Sequence, residues 1–171
     1  MFIKILMELL GIIILWFGLA FSVLIHETGH MTGYKLAEGK EDWIIQVGFG
    51  KALIKTKHFE IRLIPFSGVF YNPAPDITYT EAQALLCAVG GPIFNLILIL
   101  ILFALKSSSL NECSAFIDYY EPTWDFIRTY SVIVLISAII PMRYPAFLPI
   151  IGGMESDGMH ILKTLKNKRI K

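Results

Sequence analysis

Apolar residues run almost unbroken from Ile5 to Ile25, twenty-one positions interrupted only by Glu8, Gly11, Gly18 and Ser22. A run of that length predicts a helix that crosses a bilayer rather than the one-sided stripe of a surface helix. The helix is expected to continue to about Leu36, giving a first element over 5–36. Ala84 to Leu105 is a second run with no charged residue, inside a helix expected over 80–105. Phe126 to Met142 is a third, seventeen residues long and short for a span. Between the first two the period changes. Trp43–Gly50, Ala52–Lys57, Phe59–Ile64 and Ser67–Tyr71 are short strand candidates, the middle two with alternating apolar and polar residues. Asn72-Pro73-Ala74-Pro75-Asp76 ends that region, and Thr78 or Thr80, with Glu81 or Gln83 three residues on, can cap the next helix. Pro141, Pro145, Pro149 and Gly152-Gly153 break the chain after the third run, before a short helix over 155–168. The predicted fold is a polytopic α-helical membrane protein. It has three transmembrane helices, a small membrane-associated β-sheet over 43–71, and a short C-terminal helix, all in one domain over 1–171.

Composition agrees: 55% of the 171 residues are hydrophobic and the mean hydropathy is +0.62. A net charge of +1 gives no basis for nucleic-acid binding. Cys87 lies in an apolar run and Cys113 in a polar loop, so no disulfide framework is expected. The first run has no small-residue cleavage site and reads as a retained span. Six Lys and Arg fall between Lys35 and Tyr79 and six more follow Pro141, against one from Lys106 to Asp125, where four acids lie. The positive-inside rule then puts the strand region and the C-terminus in the cytoplasm. Arg128, near the start of the third run, can snorkel outward.

Chemistry enters at the end of the first run, where His26-Glu27-Thr28-Gly29-His30 forms His-Glu-x-x-His. On a helix, positions i and i+4 share a face, so His26 and His30 can offer two imidazoles to one metal ion. Zinc suits two imidazoles, a carboxylate and a water, and Glu27 is placed to take that water's proton as general base. Three ionisable groups in a membrane-embedded helix are costly unless partnered, and a dication partners them all. Three spans bring the end of the first, the start of the second and the end of the third to one side of the membrane. The candidates for a third ligand are therefore His58, Glu155, Asp157 and His160. Asp157 is favoured because it follows the third span on that side and precedes Gly158, which admits close backbone approach; capping of the last helix is its alternative role. Within the second span, Gly90-Gly91-Pro92-Ile93-Phe94-Asn95 puts an amide at membrane depth. Asn95 can join two helices, or it can hold substrate backbone or a developing oxyanion. The strand region either covers the membrane edge or receives an extended peptide on one edge strand.

These patches resemble, in order, the site-2 protease family of intramembrane zinc metalloproteases. His26 to His30 is similar to its metal helix, Ile64-Pro65-Phe66-Ser67-Gly68-Val69-Phe70 to its strand segment, Gly91-Pro92-Ile93-Phe94-Asn95 to its Gly-Pro-x-x-Asn, and Ser156-Asp157-Gly158-Met159-His160 to its Asp-Gly helix. The resemblance implies one Zn²⁺ per chain held by His26, His30 and Asp157, with Glu27 as base and Asn95 on substrate or oxyanion. It also implies a substrate that is a membrane-anchored protein, a bacterial cell membrane as location, and room for a regulatory membrane partner. Two departures stand out. Ala138-Ile139-Ile140-Pro141 keeps the proline of the family's Asn-x-x-Pro and loses its asparagine, and the stretch from Pro141 to Asp157 is long. An inactive member that binds a membrane partner is the competing reading.

Overall fold

The computed structural model describes residues 1–37, 41–73, 79–107 and 118–168. Among these, four helices and a two-stranded sheet follow in the order α1 (Phe2–Leu36), β1 (Ile44–Lys55), β2 (Phe59–Tyr71), α2 (Glu81–Ser107), α3 (Glu121–Ile139) and α4 (Asp157–Lys168). At 1.5 Å per residue the 35-residue α1 is about 52 Å long, well beyond the hydrocarbon core of a bilayer. Among the described residues, α1 and α2 are the helices long and apolar enough to cross a membrane. The third helix forms, but over 121–139 rather than 126–142, and its first half carries Glu121, Asp125 and Arg128. Those charges explain why it falls short of the apolar content of a span. Arg128 does not reach outward alone. It is buried, and its guanidinium meets Glu121 at 2.6 Å and Asp125 at 2.7 Å, with Lys106 at the end of α2 on the same acids.

The four predicted strands are two long, bent ones. Gly48 and Gly50 take φ of 79° and 82°, which turns β1 without ending it, and β2 runs on through Pro65. Strands β1 and β2 pair antiparallel, with repeated register shifts. Ile45, Gln46 and Val47 each have two partners, one among Phe59, Glu60 and Ile61 and one among Phe70, Val69 and Gly68. The start of β1 therefore lies between the two halves of β2. Segment 68–71 pairs, among the described residues, only with 44–47, which leaves it an edge. Ile45 and Val47 on the inner face pack with Ala20, Val23 and Trp43 into the buried core between sheet and α1. The Trp16 indole donates to the Leu63 carbonyl at 2.7 Å, so the far part of the sheet runs down α1 to a level about 15 Å from His26.

The cap of α2 is the reciprocal one expected at Thr80. The Thr80 N–H donates to Gln83 Oε1 at 3.0 Å and the Gln83 N–H to Thr80 Oγ1 at 3.2 Å. Thr78, most of the Asn72–Asp76 breaker and Cys113 lie outside the described residues. Helices α1 and α2 touch backbone to backbone. A Cβ on Gly29 would strike the Gly90 carbonyl, one on Gly90 the Gly29 carbonyl, and one on Gly33 the Leu86 carbonyl.

Candidate metal centre and active site

Contact between α1 and α2 delivers the two histidines. His26, Glu27 and His30 are buried and form a group able to hold a metal ion, with ligand atoms all within 4.8 Å of one another. His30 Nδ1–H donates to the Cys87 carbonyl at 2.7 Å, which fixes its tautomer and leaves the Nε2 lone pair facing His26. The two Nε2 atoms stand 3.1 Å apart. Two imidazole nitrogens converging at that distance suit a cation between them. Gly91 gives them room, because a Cβ there would lie against His30 Nε2 and 2.9 Å from His26 Nε2.

Asp157 arrives from the other end of the chain. Its Oδ2 is 3.3 Å from His26 Nε2 and its Oδ1 3.5 Å from His30 Nε2. Ser156 sets its position. The Ser156 hydroxyl donates to the Ile140 carbonyl at 2.7 Å and accepts from the Met142 N–H at 3.1 Å and the Met159 N–H at 3.3 Å. It thus caps α4 and ties it to the end of α3, leaving the Asp157 carboxylate turned to the histidines. Gly158 allows this, since a Cβ there would strike the Ile139 carbonyl. Sequence reasoning passed over Ser156, although a serine just before a short helix is a capping signal.

Of the other ligand candidates, His58 stacks on Trp43 at 4.3 Å and meets the Trp43 carbonyl at 2.9 Å, within the sheet. Glu155 is taken by Lys163 and Arg143, which hold its carboxyl down to about 2. His160 is exposed on α4 and lines the same cavity as Asp157.

That cavity, of about 350 Å³, opens between α1, α2, α3, β2 and the 144–155 loop. Glu27 lies against the edge segment of β2: a Cβ on Gly68 would sit 2.8 Å from its Oε1. Asn95, expected to face substrate, is not among the lining residues. It is fully buried one turn beyond Gly91, and its amide donates to the Ser131 carbonyl of α3 at 3.1 Å. The Ser22 and Ser131 hydroxyls meet 3.0 Å apart in the same layer. One Asn95 N–H thus ties α2 to α3, and its Oδ1 is buried without a partner among the described residues. Two lining hydroxyls that sequence reasoning did not single out, Ser67 Oγ and Tyr130 Oη, are buried without a partner.

The sequence profile of Peptidase family M50 matches residues 14–167. The chain belongs to that family. This M50 metallopeptidase has the buried His-Glu-x-x-His group that the site-2 protease resemblance implied, and the match takes in both histidines, Asn95 and Asp157. No curated protein matches the chain. Family membership and the two long apolar helices together point to an integral membrane protein.

Proposed function

We propose that the protein is an intramembrane zinc metalloprotease that hydrolyses peptide bonds in or near the transmembrane segments of membrane-anchored proteins. One observation carries this reading. Ligand atoms placed 2.0–2.1 Å from a tetrahedral zinc stand about 3.3–3.4 Å apart, and His26 Nε2, His30 Nε2 and the Asp157 oxygens are separated by 3.1, 3.3 and 3.5 Å. His26, His30 and Asp157 would hold the ion. When bound, zinc polarises a carbonyl and makes a water acidic near neutral pH.

The rest is the work of this chain's residues. Glu27 takes a proton from the attacking water and gives it to the amine that leaves as the C–N bond breaks. The β2 edge at 68–71, beside Glu27, offers unpaired backbone to an unwound substrate strand; a helical substrate must unwind to expose its carbonyl. The third helix completes a three-span core, with its Glu121–Arg128–Asp125 cluster at the membrane face away from the site. The Lys- and Arg-rich strand region and C-terminus face the cytoplasm.

The test is the Glu27→Gln variant, purified in detergent and presented with membrane-anchored reporter proteins. It is expected to keep its metal and lose cleavage. Cleavage by that variant at a rate near the parent's would remove the general base and overturn the assignment. A zinc-loaded parent that cuts no reporter while capturing a membrane protein would favour the binding-protein reading.

A further inference from the structure

Among the described residues, the cavity that holds His26, Glu27 and Asp157 is lined by carboxylates but by no lysine or arginine. Hydrolysis of an amide puts negative charge on the carbonyl oxygen in the transition state, and a donor fixed in advance at that oxygen accounts for a large part of catalysis in acyl-transfer enzymes. Asn95, the donor the sequence offered, does not line the cavity and gives one N–H to the Ser131 carbonyl. Tyr144 also lines the cavity, but its hydroxyl donates to the Ser137 carbonyl at 3.2 Å. Tyr130 differs. Its hydroxyl, like that of Ser67, is buried without a partner among the described residues, and its ring is held by packing against Phe66, centroids 6.1 Å apart, and against the core under the sheet. Tyr130 and Glu27 line the same cavity. A buried hydroxyl left unbonded costs free energy, and native structures keep such groups mainly where they act.

Resting on the protease reading above, we propose that Tyr130 is a further catalytic residue, whose Oη–H donates a hydrogen bond to the scissile carbonyl oxygen as it becomes an oxyanion. The proton stays on the phenol throughout, so the hydroxyl needs no acid or base partner. The arrangement also gives Asn95 a purpose. By bonding the carbonyl of Ser131, the next residue, and with Ser22 on the Ser131 hydroxyl, it fixes the rotation of α3 and with it the direction of Tyr130. Asn95 is then a positioning residue and Tyr130 the one that meets the reacting atoms.

The experiment uses the full chain, zinc-loaded in detergent, with two probes. One is a phosphinic Leu–Ala pseudodipeptide, whose tetrahedral phosphinate imitates the reacting carbon. The other is the planar acetyl-Leu-Ala amide, titrated in the Glu27→Gln background so that it is not cut. Tyr130→Phe keeps the ring that packs on Phe66. It is expected to keep the parent's zinc content, to bind the phosphinic probe about 100-fold more weakly, and to bind the planar probe within about threefold of the parent. Equal phosphinic affinity in parent and Tyr130→Phe overturns the proposal, and so does an equal loss for both probes, which marks a ground-state contact. Failure of the protease reading looks different. There, zinc loading of the parent would bring no gain in phosphinic affinity at all.

Discussion

Ser156 and Gly91 do more for the metal centre than their size suggests. Neither is a candidate ligand, yet Ser156 uses its one donor and two acceptor positions to hold the chain on both sides of Asp157, and Gly91 leaves the space that the two imidazoles fill. Ser156→Ala is expected to lower zinc affinity about 10-fold or more, in keeping with the loss of an outer contact that orients a ligand. Ser156→Thr should restore most of it. Competition with a coloured chelator measures both, and an unchanged affinity in the alanine variant would show that Asp157 is held by other means. Glu155 makes a separate prediction. Its folded-state carboxyl is depressed from 4.5 to about 2 by Lys163 and Arg143, so its contribution to stability is complete above pH 4.5 and fades as the pH falls toward 2. The Glu155 carboxyl carbon shift, followed through an acid titration, should move near pH 2. A midpoint at 4.5 would mean the clasp is open in solution.

Among the elements, the α1–α2 contact decides whether the two histidines meet at all. Gly29 and Gly33 face Gly90 and Leu86 at backbone distance, and Gly91 lies beside His26 and His30 in the same seam. Gly29→Val would force the helices apart against a carbonyl that has no rotamer to escape into, at a cost of at least about 1–3 kcal/mol. Zinc content should fall with it although every ligand is present. Gly11→Ala, where the neighbour is the Tyr120 ring rather than backbone, should keep its metal. The same comparison shows what the sequence could tell. Helix α1, helix α2 and the Thr80–Gln83 cap follow from local pattern, because each depends on residues close together in the chain. The start of β1 between both halves of β2, the withdrawal of Asn95 from the cavity and the place of Tyr130 in it follow from how distant elements settle against one another, and no periodicity records that. Helix α3 begins before its apolar run because Arg128 pairs with Glu121 and Asp125 inside the helix, a set of contacts that hydropathy does not record.

At the scale of the molecule, α1, packed against the second long apolar helix, carries a buried group able to hold a metal ion, and a sheet lies alongside α1 with one edge beside Glu27. The proposed ligands, His26, His30 and Asp157, come from both ends of the chain and meet within 3.5 Å. The central claim is that these three side chains hold one zinc ion. Zinc per chain, measured by elemental analysis on the detergent-purified parent, His26→Ala and Asp157→Ala with folding checked by circular dichroism, tests it most directly. The account predicts close to one zinc per chain in the parent and loss in both variants. A folded parent that takes up no zinc, or an Asp157→Ala variant that keeps all of it, would contradict it.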